Sequence, residues 1–397
     1  MGERAARPRP LRRVLLTAVA GSTLLAGCAG GPAEDRARHL AAAGDEVPPW
    51  EETTDERPEG GSGGGSPEEP PPEETEPPAP AEGSADAPVT ETVPGLEDPC
   101  CLAPIPGGED VLIGARSGAL VRVAPNGDPT PVGQIPTLSE DGTGELLGLA
   151  LDPSHEDGEG SWIYASYSGE ERNQVARYTY APETGLGTST TLARDLPLAE
   201  PGSGGALTFG PEGMLYVATG GAEAEEAGDP ESLAGKILRL EPNTTDSGGH
   251  RTPDPRIYSA GYPQVRGLAH DPARDRLWAV TVTEEDVAGV AQIPPGGAGE
   301  AGAGGTPLTW DSEEVGWSAE TSDPVGVGYA VGSLWVPASG DASPLSRLPL
   351  DGSRLTGPPQ PLTPEAFPTP VATAAGQDGA SLLVLGADGT LTRYQVS

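Results

Sequence analysis

The chain is poor in the side chains that most often carry chemistry. Among its 397 residues lysine occurs once, as Lys236, histidine four times and cysteine three times. The formal net charge is -37. That balance excludes the basic face a nucleic-acid-binding protein needs. It also argues against electrostatic adhesion to anionic lipid. The four histidines, His39, His155, His250 and His270, are scattered through the sequence. No Ser-His-Asp set, phosphate loop or paired His and Cys ligands accompany them. Long apolar runs are missing too. The one candidate, Val14–Ala26, is too short to span a bilayer comfortably.

That short run has a recognisable context. Arg4, Arg7, Arg9, Arg12 and Arg13 precede it, and "LAGC" (Leu25 to Cys28) ends it. A basic segment, an apolar segment and small residues before a cysteine fit a bacterial lipoprotein signal. Residues 1–27 are therefore expected to be removed and Cys28 to carry a lipid anchor on the extracytoplasmic face of the membrane. Arg12-Arg13 leaves Sec and twin-arginine export both open. Residues 28–93 are rich in Pro, Gly and Glu and nearly devoid of large apolar side chains. Such a segment does not bury enough surface to offset its ordering entropy, so an extended, disordered tether is expected. Cys100 and Cys101 are adjacent. In an exported chain a vicinal disulfide and two buried thiols are both open readings.

From residue 94 onward one unit recurs. A short strand, a turn rich in Gly, Pro and Asp, a stronger strand and a third strand follow one another about six times. The stronger strands are "DVLIGAR", "SWIYASYS", "GMLYVATG", "DRLWAVTV", "GSLWVPAS" and "ASLLVLGA". Helical periodicity is hardly visible. The spacing suits a blade of four strands and a loop, which predicts an all-β chain, a six-bladed β-propeller over 94–397. A pair of β-sandwiches does not explain so regular a recurrence. The last strand, "LTRYQV", is expected to share a blade with the segment near Thr90 to Leu96 and so close the ring.

Three segments of this repeat resemble the glucose/sorbosone dehydrogenase family, soluble propellers that use pyrroloquinoline quinone (PQQ) and calcium. They are "GELLGLALDP", "GGALTFGPEGMLYVATG" with "SLAGKILRLEPN", and "IYSAGYPQVRGLAHDP". The resemblance implies sugar oxidation, in which a histidine takes a hydroxyl proton while hydride passes to the quinone. The matching positions do not carry the family's groups. Gly202 stands where the resemblance implies that histidine, and Gly221 stands for an acidic residue. Thr143 stands for a Gln or Glu. Tyr262, Pro263 and Gln264 occupy the place of an Arg-Asn pair. Gly340 replaces a lysine, and Phe367 and Thr369 replace arginines that would meet the quinone carboxylates.

A site without those cations leaves three carboxylates unpaired, and without the base it lacks proton abstraction. The expectation is thus a non-catalytic, monomeric binding propeller for a glycan or an extracellular protein, with no cofactor. The alternative is an active PQQ- and calcium-dependent sugar oxidoreductase with a relocated site. The expected ligand face comprises Thr143, Gly202, Gly221, Tyr262, Gln264 and Glu284. It is expected to be free of Arg and Lys and rimmed by Glu284, Glu285 and Asp286. Those three carboxylates fall short of a calcium site, for which no EF-hand spacing exists. Trp310 and Trp317 are read as packing residues rather than sugar platforms, and His270 as a packed or edge residue.

Overall fold

A computed structural model describes residues 83–136, 144–153, 161–169, 172–197, 204–243, 255–283, 287–294, 305–310, 312–318, 322–340, 344–364 and 367–397. They build six antiparallel sheets arranged as the blades of a propeller, and a small two-stranded sheet of Thr309–Trp310 with Glu313–Glu314. Blade 1 runs from its innermost strand outward through Pro99–Pro104, Val111–Ala115, Ala119–Val123 and Thr130–Gln134. Blade 2 follows with Leu146–Leu151, Ser161–Ser168, Asn173–Ala181 and Gly185–Leu196. Blade 3 contains Leu207–Phe209, Leu215–Ala218, Lys236–Leu240 and Arg256–Ala260. Blade 4 contains Gln264–Asp271, Arg276–Val282, Val287–Ile293 and Thr306–Pro307, with Gly316–Ser318 added to its third strand. In blade 5 the inner strand is interrupted, Asp323–Pro324 and then Gly328–Ala330, before Ser333–Ser339 and Leu345–Asp351. Blade 6 joins Pro370–Ala375, Ser381–Gly386 and Thr390–Val396 to the first strand of the domain, Ala85–Thr92.

All six stronger strands read from the sequence are the second strands of their blades. Their apolar runs are continuous because each is buried on both sides. Val111–Ala115 and Ser381–Gly386 are buried along their whole length. Outermost strands such as Thr130–Gln134 are mostly exposed. There is no single core. Six apolar clusters fill the six seams between neighbouring blades, from Leu112 with Ile163 between blades 1 and 2 round to Val111 with Leu383 between blades 6 and 1.

The innermost strands contact one another in sequence and close a ring around a central channel. Glycine sets how tightly they approach. A Cβ at Gly267 would meet Gly326 Cα of blade 5 at 2.7 Å, closer than real Cβ contacts come, and one at Gly148 would land on the Gly205 carbonyl of blade 3. The motifs "LLGLAL" and "VRGLAH" thus encode a distance between strands.

The closing blade corrects a boundary. Ala85–Thr92 falls inside the segment 28–93 expected as tether, yet it pairs antiparallel with Thr390–Val396. Its composition conceals it. Ala, Asp, Pro and Thr offer no apolar alternation, and the ladder slips around Pro88, between Asp86 and Val89. A charge pair helps to hold it. Arg393 Nε lies 3.5 Å from Glu91 Oε2 with both side chains largely buried, and Glu91 Oε1 accepts the Asn126 amide of blade 1 at 2.7 Å. Residues 1–82, with the expected signal segment, Cys28, His39 and most of the expected tether, lie outside the described residues.

Candidate functional site

The channel has two mouths. At the first, the N-mouth, the inner strands begin and the turns between second and third strands gather. At the second, the C-mouth, the inner strands end and turn back.

Of the expected ligand face, the described residues Gly221, Tyr262 and Gln264 lie at the N-mouth. Thr143, Gly202 and Glu284 lie outside the described residues, as do Glu285, Asp286, His155 and His250. Gly221 is exposed at φ 64°, and Gly340 is exposed at φ 124°. Neither brings a side chain. Tyr262 is buried, and its hydroxyl shares a 2.7 Å hydrogen bond with Ser259 Oγ. Burial pushes the Tyr262 phenol up to about 12. This side chain faces the protein interior rather than a ligand. Pro263 brings no side-chain donor, and its carbonyl accepts the Ala222 amide at 3.2 Å. Gln264 is half-buried, opposite Val282 in the ladder. Phe367 turns inward and stacks on Tyr394 at 5.6 Å, while the Thr369 carbonyl accepts the Ala387 amide at 2.9 Å. Trp317 is half-buried and packs on the blade 4–blade 5 seam. The side chain of Trp310 lies outside the description.

A cavity of about 430 Å³ beside Tyr262, Pro263 and Thr281 has no Arg or Lys among its described lining residues, but the mouth does contain arginines. Arg116 Nη1 donates to Glu145 Oε2 at 3.1 Å, and its Nε lies 3.7 Å from Asp98 Oδ1. The pair links the blade 1 turn to the start of the blade 2 inner strand. Arg266 is paired with Asp323 and links blade 4 to blade 5. Position-by-position matching passes over Arg266 because it is the extra residue of a β-bulge, where the ladder slips between Val265 and Gly267. Bulges re-aim side chains in this way. Its partner lies 57 residues on, beyond any local signal. Arg172, in the matching turn of blade 2, is exposed.

Lys236 has a different task. It is fully buried, and its Nζ donates to the carbonyls of Glu226, Ala227 and Ala234 at 3.0, 2.8 and 2.6 Å. The ammonium therefore pins the long blade 3 turn, including its short helix Ala224–Gly228. Burial lowers its pKa, against the raising pull of Asp229 and Glu226. The sequence signal was there, since the only lysine of the chain sits inside the conspicuous "SLAGKILRL".

Cys100 and Cys101 are joined as a disulfide at the start of the blade 1 inner strand. Cys101 is buried in the blade 1–blade 2 seam, and Cys100 is half-buried.

The C-mouth opens into a cavity of about 620 Å³. Leu149, Leu207, Phe209 and Leu268 form apolar walls, with Glu212 and His270 among the polar groups. His270 Nε2 lies 3.0 Å from Asp275 Oδ1. Glu212 occupies the left-handed region at φ 59° and is paired with Arg239. Both carboxylates also border a neighbouring cavity of about 440 Å³, with Tyr216, Tyr258 and Arg256. So the one described histidine is an edge residue at the mouth opposite the expected ligand face. Among the described residues no three His, Cys, Asp or Glu side chains cluster as a metal site requires.

With this geometry in hand, the similarities to other proteins are informative. The model of the family described as "Glucose / Sorbosone dehydrogenase" matches residues 96–297. A PQQ-bound aldose sugar dehydrogenase from Streptomyces coelicolor is 29% identical, with a TM-score of 0.66 over 80% of this chain and 100% of that one. A putative oxidoreductase (glucose dehydrogenase) from Thermus thermophilus is also 29% identical, with a TM-score of 0.60 over 78% of this chain and 99% of its own. The soluble aldose sugar dehydrogenase of Escherichia coli, in its apo form, is 21% identical at a TM-score of 0.58 over 78% of this chain and 99% of that one, and shares the fold. An uncharacterised protein of Synechocystis sp. is 29% identical over 231 residues, which are 49% of this chain and 55% of that protein. The match thus spans about half the length of that curated relative.

Proposed function

The chain belongs to the glucose/sorbosone dehydrogenase family, and from that premise we propose that it is a lipid-anchored, extracytoplasmic propeller that binds a glycan or a protein and does not oxidise sugars. One observation carries the reading. Arg116 and Arg266, at the seams of the N-mouth, are each engaged by carboxylates of the chain itself. PQQ, which the Streptomyces coelicolor relative holds, presents three carboxylates that need cations to balance them.

The residues present do not fit that group. Lys236 is enclosed by three backbone carbonyls, Tyr262 is turned to Ser259, and Gly221, Pro263 and Gly340 offer no charge. A quinone there would have to displace Asp98, Glu145 or Asp323 from its arginine. No oxidative step is therefore derived for this chain. What the N-mouth can do is accept a neutral or basic surface, because Arg116 and Arg266 are already balanced by carboxylates of the chain. The anchor supports an extracytoplasmic placement through the lipobox at Cys28. The second reading, an active PQQ-dependent sugar oxidoreductase with a relocated site, draws its support from the family membership.

Titration of the protein with PQQ plus calcium, followed by dye-linked oxidation of a sugar panel, separates the two. The proposal expects no saturable PQQ binding, and no gain of activity in Gly202→His. Micromolar PQQ binding with sugar-dependent dye reduction would restore the dehydrogenase. Cys28→Ala is expected to leave the chain unprocessed by the lipoprotein peptidase and shed or mislocalised. Mature protein that still fractionates with membrane would remove the anchor.

A further inference from the structure

We propose that Cys100 and Cys101 form a reversible two-electron dithiol–disulfide couple at the N-mouth, reducible by an external dithiol while the blade stays folded. Successive side chains of a regular strand point to opposite faces. A bond between neighbours i and i+1 is incompatible with that alternation. Here the ladder slips between Pro99 and Cys101, which leaves Cys100 as an extra residue and lets both sulfurs meet.

The slip does not depend on the sulfurs. It recurs near the start of the inner strands of blades 2, 4 and 6, at Leu146/Gly148, Val265/Gly267 and Pro370/Ala372. None of those blades has a cysteine there. The bulge is thus a property of the scaffold, and it holds the two thiols adjacent whether or not they are bonded. Opening the bond removes a covalent link without removing the conformation that favours its return.

Access decides the direction of attack. Cys101 is 4% exposed, whereas Cys100 is half-buried. An incoming thiolate bonds to Cys100 Sγ, the intramolecular S–S bond breaks, and the Cys101 sulfur leaves as a thiolate that takes a proton. The second thiol of the reductant then attacks its own sulfur in the mixed disulfide. Cys100 leaves as a thiolate and is protonated, and the reductant departs as a disulfide. Two electrons and two protons have entered the protein.

The couple adjoins the latch between blades 1 and 2. Two residues before Cys100, the Asp98 carbonyl accepts the Arg116 amide at 2.9 Å and its carboxylate faces the Arg116 guanidinium, which also holds Glu145. Reduction frees the Cys100–Cys101 peptide and loosens this latch, so the redox state of the pair sets the mobility of one side of the N-mouth.

The test needs no ligand. The native full chain is blocked with N-ethylmaleimide, reduced with dithiothreitol without denaturant and labelled with iodoacetamide. The peptide carrying both cysteines is then weighed. The expected result is no maleimide, two carbamidomethyl groups, an unchanged circular dichroism spectrum and full reversal on reoxidation. Amide exchange over residues 98–116 should rise roughly tenfold in the reduced protein. Maleimide on the pair before reduction, or labelling only in denaturant, overturns the couple. Loss of the fold on reduction, or in Cys100→Ser/Cys101→Ser, overturns the bulge argument. Unchanged exchange overturns the coupling to the latch.

Discussion

The N-mouth and the C-mouth are the two ends of the same six inner strands, and they have been furnished in opposite ways. At the N-mouth Arg116, Arg266 and Lys236 all stabilise the scaffold: two bind neighbouring blades together, and one organises a turn. At the C-mouth His270, Asp275 and Glu212 border open space of about 620 Å³. The contrast separates what the ring needs from what it tolerates. Its stability resides in seams of apolar side chains and in glycines at the strand contacts, both below the mouths. Side chains at either end that neither bridge blades nor organise a turn are therefore free to change without loss of the fold. Family membership and chemistry part company at this point.

The comparison breaks most readily where the scaffold is doing the holding. Lys236→Met should cost about 3 kcal/mol, because three buried carbonyls lose a charged donor. Urea unfolding measures it, and a cost below about 1 kcal/mol would mean that the blade 3 turn holds itself. Gly267→Ala comes next, at about 2 kcal/mol, because the added methyl group meets backbone that cannot step aside. If it proves neutral, the inner ring is looser than the glycine contacts indicate.

Smaller effects sharpen the contrast. Arg266→Ala should cost about 1 kcal/mol, with a double-mutant cycle against Asp323→Ala showing coupling that weakens in salt, since the pair is partly exposed. Zero coupling would release Arg266 for a ligand and reopen the N-mouth. At the C-mouth, Asp378 in the blade 6 turn is raised by burial but pulled further down by hydrogen bonds from the Ser381 hydroxyl and the Ala380 and Ser381 amides. Its carboxyl is held below the ordinary 3.8. A depressed carboxyl stabilises the fold above that ordinary value and loses its contribution as pH falls through the lower folded value. Asp378→Asn should thus cost about 0.5 kcal/mol at neutral pH, screened because the residue is exposed, and nothing in strong acid. A deficit that persists in acid would assign the effect to packing.

Sequence alone carried the fold further than the site. The six second strands are legible because each must be apolar on both sides and must follow a Gly, Pro or Asp turn. The closing strand is legible only at its Thr90–Thr92 end, where ring closure with the last strand is expected; the part from Ala85 to Val89 is not, because it has no apolar face of its own and depends on a partner at the far end of the chain. His270 is legible as an edge residue from its position where a strand enters a turn. Arg116 and Arg266 are not legible as paired, because their acids lie on other blades. Long-range pairing of this kind leaves no trace in local pattern.

The pairing of Ala85–Thr92 with Thr390–Val396 also fixes an order of events. The ring cannot close until its final strand exists, so the earliest strand made waits for the latest. Loop-closure entropy makes such a contact slow. Throughout that interval the unpaired strand is a template for the wrong neighbour. Pro88 interrupts its hydrogen-bonding edge and Asp86 and Glu91 repel a second copy of itself, which are the devices that keep waiting edges from aggregating. The unpromising composition that hides the first half of this strand from a reader of the sequence is what keeps it available until its partner strand has been made.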